Sequence, residues 1–274
     1  MKNNVKINLD KVGLLITHYK RPESLRKLLE KFEELEVKFA QIVVSDDGSG
    51  EPYESQLESM KKDFNFDLVL TPVNAGLGNN INKGQDQLRT PYTIYVQEDF
   101  LPTEKFVEGF LKAQTYMEDD ISIDMVKFWC WHSYPYLRGY KDSEDYKLAN
   151  FKVFAIDPYR FFLYGDPPHL RRSNFFEKFG RYTEGIPAPK TEKAMAMSFL
   201  QKGGRALWHE SRDMFIHENS EDEPSTQNYK GLKQSIKEAL PDIIFNVIWS
   251  LKLTAEFIFV KFSSLDRSPK VLGK

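Results

Sequence analysis

The chain has 274 residues and a formal net charge of −2 at pH 7, and 41% of its residues are hydrophobic and 14% aromatic. This composition fits a globular protein with one large domain or two small ones and excludes a disordered chain. The charge is uneven, because residues 230–274 hold eight Lys and Arg against four Asp and Glu, which leaves −6 for residues 1–229. The acidic body argues against nucleic acid as a partner, and the basic C-terminal segment favours an anionic surface.

The start of the chain and its cysteine content indicate the cellular compartment in which the protein is expected. Residues 1–9 lack the long apolar run of a signal peptide, and no apolar run of the sequence is long enough to cross a bilayer. The single cysteine, Cys130, excludes an intramolecular disulfide and makes no zinc site by itself. We therefore expect a cytoplasmic protein.

The first hundred residues alternate between short apolar runs and amphipathic stretches. Runs rich in β-branched and aromatic residues predict four buried strands, at residues 11–19, 39–45, 66–70 and 92–96. The stretches between them have helical spacing, and the first helix opens at Pro22. Such alternation predicts a parallel sheet with right-handed crossovers, so that the carboxyl ends of all four strands meet at one edge.

Polar motifs follow all four predicted strands, at the edge where open α/β sheets bind ligands. They are Thr17-His18-Tyr19-Lys20-Arg21, Asp46-Asp47-Gly48-Ser49-Gly50, Asn74-Ala75-Gly76-Leu77-Gly78 and Glu98-Asp99. The paired aspartates suit hydrogen bonds from a base or ribose, and the glycine-rich motif enters a helix N-terminus, where N–H groups favour anions. The adjacent carboxylates suit a hard divalent cation that carries a phosphate, although such a pair is also typical of a helix cap.

In this order the motifs resemble those of family 2 glycosyltransferases with the GT-A fold. The matching residues are Thr17, Tyr19, Arg21 and Pro22; Asp46, Asp47 and Ser49; Asn74, Gly76, Asn82 and Gly84; and Asp99, in an Asp-x-Asp-like metal motif. The resemblance implies an α/β fold whose Rossmann-like, mostly parallel central sheet has flanking helices. It also implies that the first three loops hold a nucleotide-diphosphate sugar and that Asp99, assisted by Glu98, binds Mg²⁺ or Mn²⁺ on its diphosphate. Two positions depart from the family, since Gln97 stands where its first metal-motif aspartate would be and Ile81 replaces a basic residue.

The resemblance continues more distantly through residues 161–208, the half that would recognise the acceptor. In the family, a helix that ends at a glycine carries the general base near its start. Counting back from Gly203, that position is Glu192, and Asp166 and Glu184 are the reserve candidates. A glutamate in the first turn of a helix is also typical of capping, so this alternative stays open.

An aromatic cluster and a histidine complete the predicted site. The cluster offers stacking faces to a sugar, although such clusters more often belong to a core. Its members are Trp129, Trp131, Tyr134, Tyr136 and Tyr140. His217 lies after a predicted strand at residues 206–208, and the resemblance implies a metal or diphosphate contact for it, although a lone histidine is more often structural.

In the C-terminal part, the polar and acid-rich composition of residues 219–225 predicts a mobile loop. From Tyr229 onwards the residue pattern predicts helical segments. The loop either closes over the donor or is an ordinary linker. The second helical segment starts at Pro241 and is apolar except for a polar stripe at every fourth residue, formed by Asp242, Asn246, Ser250 and Thr254. A wide apolar face with basic flanks fits a helix in a membrane interface, on a partner subunit or on its own domain.

We divide the chain into a GT-A catalytic domain at residues 1–228 and an amphipathic helical extension at residues 229–274. The nucleotide-sugar-binding half covers about residues 11–110, and the acceptor half covers residues 111–228. We expect a metal-assisted, inverting transfer of a sugar to a saccharide acceptor that is lipid-linked, during surface polysaccharide assembly at the cytoplasmic face of the inner membrane. Two alternatives remain, a nucleotidyltransferase and a non-catalytic membrane-surface adaptor that retains the fold.

Overall fold

The structure is a computed structural model, and it describes residues 7–218, residue 223 and residues 241–262. Most strands belong to one large sheet. In chain order the strands are β1 (Ile7–His18), β2 (Val37–Asp46), β3 (Asp67–Val69), β4 (Tyr92–Gln97), β5 (Phe100–Pro102), β6 (Met125–Lys127), β7 (Leu137–Tyr140), β8 (Ser143–Ala149), β9 (His169–Arg172), β10 (Ala206–His209) and β11 (Phe215–His217). The helices are α1 (Pro22–Glu34), α2 (Tyr53–Phe64), α3 (Leu77–Gln87), α4 (Phe106–Asp119), α5 (Phe175–Phe179), α6 (Ala188–Gln201) and α7 (Asp242–Phe259), and a 3-10 helix spans Pro158–Phe161.

Nine strands form the central sheet in the order β3-β2-β1-β4-β9-β6-β10-β8-β7. The strands β1 to β4 run parallel, as predicted, because a helix crosses over between each consecutive pair. Beyond β4 the sheet is mixed, since β9 runs antiparallel between β4 and β6 while β10 is parallel to β6. The predicted α/β fold with a large central sheet and flanking helices is confirmed, and its uniformly parallel part consists of β1 to β4.

The helical pattern that opens at Pro22 is confirmed, and it explains how the sheet is covered. In α1 the proline occupies the first turn, where its missing N–H is not needed, and Leu25, Leu28 and Phe32 are buried against the sheet. Successive residues of β1 point to opposite faces, so that Leu14 joins one hydrophobic cluster and Leu15 the other. Both faces of the parallel strands are therefore buried, which accounts for their continuous apolar runs.

Several strands in the second half were not predicted from the sequence. After α4, the short strand Met125–Lys127 pairs with β9 and β10. The strands β5 and β11 form a separate two-stranded antiparallel sheet, in which His217 lies opposite Phe100. This pairing connects the segment after β10 to the segment that follows the acid pair.

The helix predicted to start at Pro241 is confirmed as α7, and it packs on its own domain through its polar stripe. The Arg160 guanidinium donates hydrogen bonds to the Ser250 hydroxyl at 2.8 Å and the Thr254 hydroxyl at 2.6 Å. Arg160 is buried, and Leu253 is buried beside the stripe. The apolar side chains on the outer face are exposed instead, among them Ile243 and Leu251. The side of α7 that faces the protein thus combines Ser250 and Thr254 with the apolar side chains of Phe245 and Leu253, while other apolar side chains face outward.

The predicted mobile loop at residues 219–225 and the helical pattern from Tyr229 to residue 240 lie outside the described residues, except for Glu223. The carboxylate of Glu223 accepts hydrogen bonds from the backbone N–H groups of Glu23 and Ser24 and from the Ser24 hydroxyl, at 2.6 to 3.0 Å. It therefore caps the N-terminus of α1. Among the described residues, no helix combines the length and the apolar character that a membrane crossing requires.

Candidate active site

The loops after the parallel strands open into one cleft of about 700 Å³. All but three of the predicted site residues line it, although they come from segments far apart in the sequence. The lining residues among those predicted are Thr17, Tyr19, Arg21, Asp47, Asn74, Gly76, Glu98, Asp99, Asp166, Glu192 and His217. The three that do not line the cleft are Asp46, Asn82 and Glu184.

Asp47 connects the second and third loops of the cleft. Its carboxylate accepts hydrogen bonds from the backbone N–H groups of Ala75 at 2.8 Å and Gly76 at 3.1 Å. Burial raises the pKa of Asp47, and these backbone donors oppose the rise. Gly48 has φ +68°, and a Cβ atom there would collide with the backbone of Val73. Only glycine therefore allows the two loops to approach so closely.

Asp46 is turned away from the cleft and holds the second loop in shape. Its carboxylate lies 2.7 Å from His18 Nδ1 and accepts a hydrogen bond from the Ser49 backbone N–H at 2.8 Å. Although burial opposes it, the hydrogen bonds from His18 and Ser49 lower the pKa of Asp46. The structure thus gives Asp46 a supporting position rather than a contact with a ligand in the cleft.

Asn82 and Glu184 connect α3 to the segment before α6, beneath the cleft. The Glu184 carboxylate accepts hydrogen bonds from the amide groups of Asn82 at 2.8 Å and Asn79 at 2.9 Å. Asn82 also donates to the backbone carbonyl of Tyr182 at 2.9 Å and accepts from its backbone N–H at 3.0 Å. Because its carboxylate oxygens are already bonded and face away from the cleft, Glu184 is poorly placed to accept a proton there.

The acid pair lies at the carboxyl end of β4, between Arg21 and His217. One oxygen of Asp99 accepts a hydrogen bond from Arg21 Nη1 at 2.7 Å and lies 3.3 Å from His217 Nε2. Although burial opposes it, hydrogen bonds from His217 and Arg21 lower the pKa of Asp99. Burial and the nearby Asp99 charge raise the pKa of Glu98 to about 8. At neutral pH, Asp99 is therefore ionised while Glu98 is largely protonated.

The helix-cap interpretation of the acid pair is wrong. The next element after Glu98 and Asp99 is β5, and α4 begins only at Phe106. At its start, the Thr103 hydroxyl accepts a hydrogen bond from the backbone N–H of Lys105 at 3.2 Å. Neither carboxylate is thus required for the helix.

Asp99 offers a donor atom that fits a metal ion. Its second oxygen is buried and has no hydrogen-bond partner in the structure, and such an atom requires a functional or structural reason. The described residues contain no group of three His, Cys, Asp or Glu side chains that could hold a metal. Mg²⁺ is, however, commonly held by one or two carboxylates together with substrate phosphates. The site thus fits a metal ion that would have Asp99 as its protein ligand and phosphate oxygens of a diphosphate as further ligands.

Glu192 lies in the first turns of α6, in contact with the loop that carries Asp166. It accepts a hydrogen bond from the backbone N–H of Asp166 at 3.1 Å. Burial raises the pKa of Glu192, and the charge of Lys127 opposes the rise. A Cβ atom on Gly165 would lie 2.6 Å from Lys127 Nζ and 3.2 Å from the Glu192 carboxylate, so both groups pack against this glycine. Glu192 is therefore a buried carboxylate beside a buried cation.

Asp166, the first reserve candidate, is more deeply buried. Burial and the neighbouring Glu192 raise the pKa of Asp166 well above its usual range. One oxygen accepts a hydrogen bond from the Tyr164 hydroxyl at 2.9 Å, and the other is buried without a partner. Burial and the Glu192 charge thus disfavour the ionised form of Asp166, which makes it a weaker candidate for a base than Glu192.

A second cavity, of about 500 Å³, adjoins the cleft at Glu192. The two spaces share Trp131, Pro167 and Glu192 as lining residues. The walls of the second cavity also include Lys127, Tyr134, Tyr159, Phe162, Trp208, Asp242, Phe245, Asn246 and Trp249. This cavity was not predicted from the sequence. The available signal was the polar stripe of α7, whose first two members face the cavity.

The members of the predicted aromatic cluster lie in different places: some line the cleft or the second cavity, and others belong to the core. Trp131 is 59% exposed and lines both spaces, and its ring lies 4.6 Å from Trp129 and 4.9 Å from His217. Tyr134 is buried and lines the second cavity. Tyr140 belongs to the core instead, where it contacts Tyr116. The core interpretation is therefore confirmed for Tyr140, whereas stacking of Trp131 or Tyr134 on a sugar stays a prediction.

The family model described as "Glycosyl transferase family 2" matches residues 14–180. No curated protein matches the chain significantly. A crystal structure of S. aureus TarS residues 1–349 in complex with UDP-GlcNAc is similar with a TM-score of 0.58 at 15% identity, covering 90% of this chain and 71% of that one. The mannosyltransferase PcManGT from Pyrobaculum calidifontis, in complex with GDP-Man and Mn²⁺, has a TM-score of 0.51 at 14% identity and covers 90% and 74%. At such identities these structures demonstrate a common fold.

Proposed function

The chain belongs to glycosyl transferase family 2 and is a glycosyltransferase, and we propose that it moves a sugar from a nucleotide-diphosphate sugar to the hydroxyl group of a saccharide acceptor. One observation carries the proposal. A single cleft is lined by Asp47, the acid pair and Glu192, and Glu192 also lines a second cavity. Family membership decides against the nucleotidyltransferase and adaptor alternatives.

The donor is proposed to lie along the carboxyl ends of the parallel strands. The similar structures contain UDP-GlcNAc in TarS and GDP-Man in PcManGT, which supports a nucleotide sugar. In this proposal Thr17, Tyr19, Asp47 and Asn74 contact the nucleoside, because they line the end of the cleft formed by the first three loops. The Arg21 guanidinium, beside Asp99, is close enough to the acid pair to offset diphosphate charge.

Asp99 is proposed to be the residue that would hold a divalent ion, Mg²⁺ or Mn²⁺, when the donor is bound. The unpartnered oxygen of Asp99 supports this, and the PcManGT complex contains GDP-Man and Mn²⁺. Glu98 and His217 lie next to Asp99 as auxiliary groups. When bound, such an ion offsets the charge that develops on the leaving nucleoside diphosphate.

Glu192 is proposed to be the general base. The acceptor oxygen forms a bond to the anomeric carbon while the bond from that carbon to the diphosphate oxygen breaks. The bonding electrons leave with the nucleoside diphosphate, and the acceptor proton moves to the Glu192 carboxylate. Attack from the face opposite the leaving group inverts the anomeric centre. Burial strengthens Glu192 as a base, because it raises its pKa towards the working pH.

The acceptor is further proposed to be lipid-linked, with the protein bound to the cytoplasmic face of the inner membrane during surface polysaccharide assembly. The membrane-facing surface would be the outer face of α7, with Ile243 and Leu251, and the neighbouring loop with Phe154 and Ile156. These four side chains are 65% to 87% exposed. The loop touches α7, because the Ser250 hydroxyl donates to the carbonyl of residue 155 at 3.5 Å. The excess of four positive charges in residues 230–274 favours anionic lipid.

Membrane association is tested by sedimentation with vesicles that contain anionic phospholipid. We expect Leu251→Asp to release the protein from the vesicles, since a charge in the interface opposes burial of the apolar face. The matched control is Ile121→Asp, at an isoleucine that is 85% exposed between α4 and β6. Equal binding of both variants would contradict the membrane proposal and leave the transfer proposal intact.

Donor binding is tested by calorimetric titration with a panel of UDP-sugars and GDP-sugars, with and without Mn²⁺. We expect at least one nucleotide sugar to bind, and we expect Asp47→Ala to weaken its binding because the variant separates the second and third loops. Exposed Asp67 provides the control, Asp67→Ala. If no nucleotide sugar in the panel binds to the wild-type protein, the proposed function is wrong.

A further inference from the structure

We propose that the second cavity is the acceptor pocket and that α7 supplies the wall which selects the saccharide. This inference rests on the proposed function, because it assigns the binding site of the second substrate. The cavity is formed where α7 covers the end of β10 and the 3-10 helix. In this proposal, the second cavity binds a glycosyl residue whose ring stacks against aromatic side chains.

The position of the cavity gives it access to the reacting atoms. Glu192 belongs to the lining of both spaces, with Trp131 and Pro167 beside it. A hydroxyl group of a molecule in the second cavity can therefore approach the Glu192 carboxylate from the side opposite the donor cleft. The acid pair and Asp47 do not line this cavity, so a nucleoside diphosphate has no comparable partners there.

The chemistry of the walls fits a sugar. Sugars present apolar C–H faces that pack on aromatic rings and hydroxyl groups that need hydrogen-bond partners. Trp208, Trp249 and Tyr159 supply aromatic faces, while Asn246 and Lys127 supply polar groups. The volume of about 500 Å³ lies within the usual range for small-molecule sites.

The wall contributed by α7 is held rigidly enough to determine specificity. Arg160 anchors the helix through Ser250 and Thr254. Lys193 of α6, next to Glu192, forms an ion pair with Glu256 at 2.8 Å. These contacts hold α7 against the helix that carries the proposed base.

This wall also lies outside the segment that the family model matches. The match ends at residue 180, whereas Trp208, Asn246 and Trp249 come later in the chain. The part of the wall contributed by β10 and α7 is therefore not specified by the matched family segment.

The test uses tryptophan fluorescence, because three of the four tryptophans line the cavity. The full-length protein, with UDP or GDP bound, is titrated with methyl glycosides of hexoses, deoxyhexoses and N-acetylhexosamines. We expect at least one glycoside to change the fluorescence saturably. Trp249→Ala should weaken its binding roughly tenfold through loss of a stacking face. Asn246→Leu provides a second variant that keeps the aromatic walls.

The matched control is Phe259→Ala on the same helix, where the ring is 82% exposed and does not line the cavity. Nucleotide affinity, measured on every variant, should stay within about twofold and shows that the variants fold. The inference is overturned if no methyl glycoside binds to a protein that binds nucleotide. It is also overturned if Trp249→Ala and Asn246→Leu bind glycoside as tightly as Phe259→Ala. Failure of the wild-type protein to bind nucleotide or nucleotide sugar would overturn the proposed function instead.

Discussion

The donor cleft and the second cavity meet at Glu192, but the chain builds them in different ways. The donor cleft is formed largely by loops that directly follow the parallel strands β1 to β4, so each motif lies next to its own strand in the sequence, and the sheet order β3-β2-β1-β4 brings these loops to one edge. The second cavity combines residues of β6, β10, the 3-10 helix and α7, which only tertiary packing brings together. In the proposed function, donor binding thus depends on the sheet edge, whereas acceptor binding depends on how α7 packs on the domain.

Because of this difference, we expect that substitutions can disturb the donor cleft and the second cavity separately. Changes in the loops after β1 to β4 should affect the donor, and changes in α7 or its anchor should affect the acceptor. Glu192 belongs to both sides and should affect transfer alone. The following variants test this separation.

Glu192→Gln should have the largest effect. The amide cannot accept the acceptor proton, so we expect turnover to fall by about 10² to 10⁴. Donor affinity should remain nearly unchanged, because the change keeps the size of the side chain. Turnover is measured by release of nucleoside diphosphate and donor affinity by calorimetry. Turnover close to the wild type would contradict this role and leave Asp166 as the remaining candidate base that lines the cleft.

Asp99→Asn should abolish the stimulation of donor binding by Mn²⁺. The variant removes the charge that would hold the ion, and it also removes a partner of Arg21. Glu98→Gln is the matched comparison and should reduce the stimulation less, because burial raises the pKa of Glu98 to about 8 and keeps it largely protonated at neutral pH. Identical titrations with and without Mn²⁺ for the wild type and Asp99→Asn would refute the metal assignment.

Thr254→Val should weaken the docking of α7. The variant leaves a donor of the buried Arg160 unpaired, which costs about 1 to 3 kcal/mol of unfolding free energy. Thr115→Val on α4 is the control, since both threonine hydroxyls donate to a carbonyl one turn earlier in their helix, but Thr115 is exposed. Denaturant unfolding measures the difference. Equal losses in both variants would mean that Arg160 does not anchor α7.

Lys127→Met should change the pH dependence of turnover. The charge of Lys127 lowers the pKa of Glu192, against the larger effect of burial, so its removal should raise that pKa. Glu192 must be ionised to act as a base, and the acidic limb of the turnover profile should therefore move to higher pH. Lys202→Met, at an exposed position just after α6, should leave the limb in place. An unchanged acidic limb in Lys127→Met would contradict the expected effect of the Lys127 charge on the pKa of the base.

The donor side could be predicted from the sequence because its information is local. Each motif directly follows its strand, so Thr17, Asp47, Asn74 and Asp99 needed only the rule that parallel strands end at a common edge. Side-chain direction was less predictable, since adjacent aspartates play different parts. Asp47 lines the cleft, whereas Asp46 is turned towards His18.

The acceptor side could not be predicted in the same way, because its residues are neighbours only after folding. The clearest example is the polar stripe of α7. A polar stripe on an apolar helix ordinarily indicates a surface in contact with water, but here Ser250 and Thr254 face the buried guanidinium of Arg160. Nothing in the sequence around Arg160 indicates that it is buried or which segment it anchors.

In the proposed reaction, a sugar passes from the donor cleft to a molecule in the second cavity, with Glu192 as the base. The most direct measurement is product analysis by proton NMR, with the nucleotide sugar and the methyl glycoside that bind best. We expect equal amounts of nucleoside diphosphate and a disaccharide glycoside, formed by the wild type and not by Glu192→Gln above background. Release of pyrophosphate, or nucleoside diphosphate with only free sugar, would contradict the claim.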